Sequence, residues 1–286
     1  MNGKPLRRPN LMARVSPISW PLLVRTLKDY QGILLLGLGL SVGWHWLYVS
    51  LIPKYKLRYR LHIIDNLPQF FKAMIGDDIL QITTTTGLGS FAYLHPISLA
   101  LLLALAVWIA SGAIAGQIDR GTVDLVLATP LSRRRFMITT ILAGAISGAV
   151  MTAGMLLGTW MGLRQVTLEQ PYMFDRIVLV AANLYAVYLV AFSYAVFFSA
   201  LSTLRSTAVG WAFGLSLALY LLHFLSEWWD VVHRISFMGP LYYFRPIKIA
   251  AGNYDPTNDI ALMCGIAVVL FAIATVCFSR RNINVL

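Results

Sequence analysis

The sequence predicts an all-α integral membrane protein with six transmembrane helices, an N-terminal interfacial helix and a short cytosolic helix. Of its 286 residues 58% are hydrophobic and 12% are charged, and the mean hydropathy is +0.69. Together these three values are too apolar for a soluble domain. Six apolar runs each have a length near the roughly 20 residues that a helix needs to cross the hydrocarbon core. Since no repeat and no low-complexity linker interrupts them, we expect one domain over residues 1–286.

The N-terminal residues 1–31 predict a helix that lies in the membrane interface on the cytosolic side. Apolar side chains recur there every three or four residues: Trp20, Leu23, Leu27 and Tyr30. Arg25, Lys28 and Asp29 fall on the opposite face. One apolar and one charged face are typical of a helix lying flat on a bilayer. The alternative, a cytosolic extension of the first span, stays open.

The six apolar runs give the predicted spans. We place them at Gly32–Ile52, Leu94–Ala115, Phe136–Gly162, Ile177–Leu201, Ala208–Leu225 and Ile260–Phe278. With the N-terminus in the cytosol, residues 53–93 and 226–259 lie on the extracytoplasmic side. The Lys and Arg count favours this orientation only narrowly, with thirteen on the cytosolic segments and ten outside. The net charge of +11 fits a protein facing anionic lipid, and no basic module for nucleic acid is present.

The third span carries glycines at intervals of four residues. They are Gly144, Gly148, Gly154, Gly158 and Gly162. Small residues at this spacing allow two helices to approach closely in lipid. Two interpretations stay open: packing within one chain and contact between two chains of a dimer.

The segment Gln117–Arg135 (QIDRGTVDLVLATPLSRRR) separates the second and third spans. Gly121 and Thr122 break the preceding helix, and the Thr122 hydroxyl suits the N-cap of a new one. Pro130 ends that helix, because the residue before a proline is biased out of the helical region. The segment therefore predicts a helix of little more than one turn between two spans.

One face of this short helix is apolar. Val123, Val126 and Leu127 stand at i, i+3 and i+4 and so share that face. The three arginines that follow, residues 133–135, hold the start of the next span at the membrane surface. A short, one-sided helix on a tight tether is suited to docking into another protein.

The segment resembles the intracellular signature of ABC-2 type transporter permeases, commonly written E-x-E-x-G-T-x-E-x-L-L-x-x-P-x-S-R. The residues at the matching positions are Gln117, Asp119, Gly121, Thr122, Asp124, Val126, Leu127, Pro130, Ser132 and Arg133. Two features depart from the pattern. Gln117 replaces the first acid, and Thr139 and Thr140 stand where a lysine is often found.

The resemblance implies an ABC-2 exporter-like transmembrane domain in a prokaryotic plasma membrane, with both termini cytosolic. In that family the segment is the coupling helix, which rests on a separate ATP-hydrolysing subunit. The implied docking residues are Asp119, Gly121, Thr122, Val123, Asp124, Val126, Leu127, Pro130 and Arg133. Six spans make half a pathway there, which implies a second permease chain, identical or different, and two ATPase subunits. ATP and magnesium are then expected on the partner, and no cofactor on this chain.

Enzymatic functions find little support in the sequence. It contains no G-x-x-x-x-G-K-[ST] phosphate loop, no H-E-x-x-H and no C-x-x-C, so neither an ATPase site nor a metal site is expected. The middles of the spans lack Asp, Glu, Lys and Arg, which argues against an ion-coupled carrier. Two alternatives stay open: an intramembrane enzyme using His45 or His223, and a membrane scaffold. The transported substrate is not predicted.

Overall fold

The computed structural model describes residues 18–54, 84–121, 131–168, 170–226 and 228–281. Within these ranges the chain is helical and has no strand. Six helical stretches are long and apolar enough to cross a membrane. The predicted all-α membrane fold with six spans is confirmed. In chain order the helices are α1 Trp20–Asp29, α2 Gln31–Leu51, α3 Thr85–Leu94, α4 Pro96–Ala110, α5 Gly116–Asp119, α6 Arg133–Gln165, α7 Phe174–Leu201, α8 Arg205–Ser226, α9 Asp230–His233, α10 Pro246–Ala250 and α11 Thr257–Arg280.

The N-terminal helix α1 packs alongside the start of α6. Its buried side chains are Leu23 and Thr26. Of the predicted apolar stripe, Leu23 is thus buried within the chain, whereas Leu27 is half-buried and Trp20 is 71% exposed. The position of α1 in the membrane interface stays a prediction.

The second span differs most from its predicted bounds. Helix α3 begins at Thr85, within the segment 53–93 expected outside the membrane, and its N-cap Thr84 accepts a hydrogen bond of 3.0 Å from the Gly87 N–H. Pro96 forces His95 into an extended conformation (ψ 138°), so that α3 and α4 are separated by a break. The run was missed because α3 begins with small, weakly apolar residues. Residues 55–83 lie outside the described ranges.

The other five spans lie within three residues of their predicted bounds. Among them α7 is the most enclosed. In its apolar stretch of 18 residues 72% are buried, whereas in that of α8 17% are buried. We infer that α7 forms the centre of the bundle, with α6, α4, α11 and α8 packed around it.

The five glycines of α6 lie against other helices of the same chain. A Cβ added at Gly144 or Gly148 would overlap the ring of Phe192 or Tyr188 on α7. At the other end, Gly154, Gly158 and Gly162 lie against Leu38, the Val42 carbonyl and Val49 of α2. The first half of α6 therefore packs closely on α7, and the second half on α2.

Aromatic side chains of α7 fill the space that the α6 glycines leave. The Tyr188 ring stacks on those of Tyr185 and Phe192, with centroids 6.0 and 5.9 Å apart. The Tyr188 hydroxyl donates to the Gly144 carbonyl at 2.8 Å, and that of Tyr185 to the Ala145 carbonyl at 3.0 Å. These bonds satisfy the phenols inside an apolar bundle, where an unpaired hydroxyl would be costly.

Between α8 and α11 the described chain forms short helical pieces instead of one long element. They are α9, the 3₁₀ turns Ser236–Met238 and Pro240–Tyr243, and α10. This 228–254 segment closes the end of the bundle opposite the 117–135 segment. Its proline-punctuated, aromatic sequence fits short turns at the membrane interface.

Candidate functional site

The candidate site is the end of the bundle from which the 117–135 segment leaves and to which it returns. Helix α5 ends at Asp119, and α6 begins at Arg133. Residues 122–130 lie outside the described ranges, and with them the predicted short helix. The predicted docking residues that fall there are Thr122, Val123, Asp124, Val126, Leu127 and Pro130. Asp119, Gly121 and Arg133, which flank it, are described.

The helix break predicted at Gly121 is present. Gly121 has a positive φ of 65°, the left-handed conformation that glycine adopts without steric cost. Its N–H donates to the Ile118 carbonyl at 2.9 Å, which satisfies a carbonyl at the helix end. The chain therefore turns sharply away from α5 at this residue.

Asp119 joins the end of α5 to the start of α8. Its Oδ2 accepts a hydrogen bond of 3.3 Å from the backbone N–H of Arg205, the first residue of α8. The first N–H groups of a helix have no partner within the helix, and a carboxylate there is also favoured by the helix dipole. Asp119 thus stabilises the N-terminus of a helix to which it does not belong.

The Arg205 side chain makes a second connection to the same region. Its guanidinium lies 4.6 Å from the centroid of the Trp108 ring, a cation–π contact. Its Nε–H also donates to the Ser111 hydroxyl at 3.4 Å. Arg205 therefore ties the start of α8 to the last turn of α4.

A π-helical segment, Ser111–Ala115, links α4 to α5. The hydroxyl of Ser199 on α7 donates to the Ala110 carbonyl at 2.8 Å and accepts from the Ala115 N–H at 3.0 Å. These two backbone groups are five residues apart, the spacing that a π-helix pairs directly. The Ser199 hydroxyl thus bridges the widened turn and links it to α7.

Arg133 joins the start of α6 to the C-terminal end of α11. Its guanidinium donates to the backbone carbonyl of Arg281. The Arg281 guanidinium in turn donates to the carbonyls of Ala200 and Ser202, at 2.9 and 3.0 Å. A cation at the last carbonyls of a helix is favoured by the helix dipole, here that of α7. Arg133 therefore connects to two spans besides its own.

Ser132 caps the start of α6, where its hydroxyl accepts from the Arg135 N–H at 3.3 Å. The Arg135 guanidinium donates to the Ile18 carbonyl at 3.1 Å. The Thr139 hydroxyl, one of the two threonines where the signature often has a lysine, accepts from the Ser19 N–H at 3.0 Å. The residues before α1 are thus fastened to the first two turns of α6.

A comparison with protein families identifies the family of the chain. A family model described as ABC-2 family transporter protein matches residues 55–283, about four fifths of the chain. The chain belongs to this family. A search of curated proteins found no match. Family membership, together with the six apolar helices, confirms the prediction of a multi-pass membrane permease of an ABC transporter.

Neither His45 nor His223 of this permease forms a catalytic group with the described residues around it. His45 is fully buried, with Nδ1 2.9 Å from the Ser41 carbonyl and its ring 4.6 Å from that of Tyr93. The ring is thus enclosed by the described residues around it. His223 lies on α8, and within the described ranges no group of three His, Cys, Asp or Glu side chains is placed to hold a metal. The intramembrane-enzyme alternative gains no support.

Three residues of the permease site were not found from the sequence: Ser199, Arg205 and Arg281. Arg205 and Arg281 contact Asp119 and Arg133 at the two ends of the 117–135 segment, and Ser199 contacts the π-helical segment just before it. The partners are about 80 to 150 residues apart in the chain. Arg205 and Arg281 carry one available signal, since both are cations at the ends of predicted spans. Nothing in the local pattern marks Ser199, which is one of many small residues in an apolar run.

Proposed function

We propose that the chain forms one half of the pathway of an ATP-driven ABC-2 exporter, in which ATP is hydrolysed by a separate subunit. That subunit docks on the 117–135 segment, and its ATP-dependent closure moves the spans. Family membership supports a permease with an ATPase partner. The direction of transport rests on the resemblance to exporter-like ABC-2 domains.

One observation carries the coupling proposal. The two ends of the 117–135 segment are fastened to different spans: Asp119 to the start of α8, and Arg133, through Arg281, to the ends of α11 and α7. Helices are stiff along their axes, so a displacement at their ends is transmitted into the bilayer. A force on the segment would thus reach five of the six spans at once, counting α4 and α6, which it joins directly.

The assembly that we propose contains two permease chains, identical or different, and two ATPase subunits. It lies in the plasma membrane of a prokaryote with both termini in the cytosol. ATP and magnesium bind the ATPase subunits. The middles of the described spans carry no Asp, Glu, Lys or Arg, which is consistent with energy that is supplied from outside the bilayer.

The experiment that tests the proposal is purification of the chain from its native membrane, with and without the ATPase subunit that co-purifies with it. We expect ATP hydrolysis only from the complex, because this sequence lacks a phosphate loop. The control is a complex whose ATPase carries a substitution of its own phosphate-loop lysine. Hydrolysis by the homogeneous chain alone, or a complex that does not form, would overturn the proposal.

A further inference from the structure

A cavity of about 300 Å³ lies between α4, α7 and α8. It begins under Pro240 and Leu241 of the 228–254 segment and extends to Tyr194 and Ser216, near the middle of α8. A smaller neighbouring space shares Leu241 and contacts His223. An apolar cavity of about 150 Å³ holds one benzene molecule. This cavity therefore has room for an apolar molecule of about twelve carbon atoms.

The cavity opens sideways. Phe213 and Leu217 of α8 line it and are also 56% and 47% exposed on the outside of the described chain. Pro96 and Ala100 of α4 line it from the other side and are exposed as well. All four belong to spans, so in a single chain this opening faces the hydrocarbon of the bilayer. A molecule would enter from the bilayer and not from water.

The lining accepts only an uncharged molecule. None of the described residues around the cavity is charged, and nearly all side chains that line it are aliphatic or aromatic. Burying a charge there without a partner would cost more than the apolar contact gains. Charged lipids and nucleotides are therefore excluded as occupants of the cavity itself.

Two buried hydroxyls give the inner end of the cavity a defined hydrogen-bonding character. Ser216 donates to the Ala212 carbonyl at 2.6 Å, and the Tyr194 hydroxyl lies 2.6 Å from the Ser216 oxygen. Since a hydroxyl has one hydrogen, Tyr194 must donate to Ser216. Both oxygens then offer lone pairs but no hydrogen. Both residues are less than one tenth exposed, so only a molecule inside the cavity can use these acceptors.

We propose that this cavity binds an uncharged single-chain alcohol taken from the bilayer, with its hydroxyl donating to Tyr194 or Ser216. The chain of the ligand lies along α4 and α8, and a molecule that only accepts hydrogen bonds binds more weakly. The inference goes beyond the proposed function, because binding needs neither nucleotide nor a partner. Absence of coupled ATP hydrolysis would leave it untouched.

The test uses the full chain in nanodiscs of saturated phosphatidylcholine and a probe, 1-decanol with a diazirine in the middle of its chain. We expect photolabelled peptides from α4, α7 and α8. Excess 1-decanol should displace the probe at a concentration about five-fold lower than decyl methyl ether, the ratio expected for one hydrogen bond. Equal displacement by the two competitors would overturn the assignment of the polar end.

Two variants separate the cavity from general lipid contact. Ala191→Phe fills the cavity from α7, and the matched control Ala182→Phe places the same ring on an exposed position of the same helix. We expect loss of labelling only in the first. Tyr194→Phe combined with Ser216→Ala keeps the cavity and should abolish the preference for the alcohol. Labelling that survives Ala191→Phe unchanged, or a preference that survives the double substitution, would overturn the proposal.

Discussion

The carboxylate of Asp119 accepts a hydrogen bond of 3.3 Å from the backbone N–H of Arg205, 86 residues further along the chain. Asp119 is the last residue of α5, and Arg205 is the first of α8. The contact places an acid from the edge of the 117–135 segment on the N-terminus of a different span. In our proposal it is one of two points through which a docked partner would move the bundle.

The first prediction concerns this contact. Asp119→Ala removes both the acceptor and the charge, at a cost of about 1 kcal/mol for a lost helix cap. In the complex, we expect the rate of ATP hydrolysis by the partner subunit no longer to depend on the permease. Transport should fall about five-fold, while the abundance of the chain in the membrane stays unchanged. Asp119→Asn retains an acceptor and should keep most of the activity.

The control for Asp119 is Asp175→Ala, which removes an exposed acid in the first turn of α7 at the other end of the bundle. It should leave transport within a factor of two of the parent. Equal losses in the two alanine variants would mean that Asp119 acts only through surface charge.

The second prediction concerns Ser199. Ser199→Ala leaves the Ala110 carbonyl and the Ala115 N–H without the hydroxyl that bridges them, and an unsatisfied buried group costs about 1–3 kcal/mol. We expect a lower melting temperature of the solubilised chain. Ser193→Ala is the matched control, because that hydroxyl donates only to a carbonyl of its own helix, at 2.7 Å. If both variants have the same melting temperature, the bridge does not stabilise the π-helical segment.

The third prediction concerns the α6 glycines. A Cβ at Gly158 would overlap the backbone carbonyl of Val42, which cannot move without displacing α2. Gly158→Ala should therefore destabilise the chain by about 1–3 kcal/mol. Gly265→Ala on α11 is the control, since a Cβ there meets nothing within 4 Å. Thermal melting of both variants tests this, and a Gly158→Ala chain as stable as the control would contradict the close packing of α2 on α6.

The spans were predictable because about 20 apolar residues in a row have few alternatives to a transmembrane helix. That argument predicts that a span exists. It also predicts the end of a span within three residues where a charged residue borders it, as Arg133 and Arg205 do at the starts of α6 and α8. It fails for α3, whose buried Thr85, Thr86 and Gly87 are small and only weakly apolar. Their burial comes from packing against α10 and α7, which hydropathy does not measure.

The candidate site was predictable only where the chemistry is local. A glycine after a helix predicts a break, and Gly121 provides one. The Ser132 cap involves Arg135, three residues away, and is likewise local. The contacts of Asp119, Arg133 and Ser199 involve residues far along the chain. Such pairs depend on how the spans assemble, and a single sequence contains no direct signal for that.

The fourth prediction is the orientation of the chain. We expect the 117–135 segment in the cytosol and the 228–254 segment outside. Single cysteines at Ser132 and Asn253, both exposed, are probed with an impermeant thiol reagent after Cys264 and Cys277 are replaced. Asn253→Cys should label in intact cells, and Ser132→Cys only after permeabilisation. The reverse pattern would show that the orientation is inverted.

The fifth prediction concerns the short helix predicted from the sequence within residues 122–130. If Val123, Val126 and Leu127 enter a groove on the ATPase, Leu127→Asp buries an unpaired charge at that interface and should cost several kcal/mol of binding. Thr122→Ala is milder and should lose a cap of about 1 kcal/mol. Leu125→Asp is the matched control, because helical spacing places residue 125 on the opposite face.

The measurements are the abundance of the chain in the membrane, co-purification of the partner, and transport. We expect Leu127→Asp to insert at normal abundance and yet lose both the partner and transport, because a cytosolic side chain does not enter the bilayer. Leu125→Asp should retain both. If Leu127→Asp inserts, binds the partner and transports as the parent does, the apolar face of this segment does not couple the ATPase to the spans. Equal loss in the two aspartate variants would instead mean that the whole segment is needed without a preferred face.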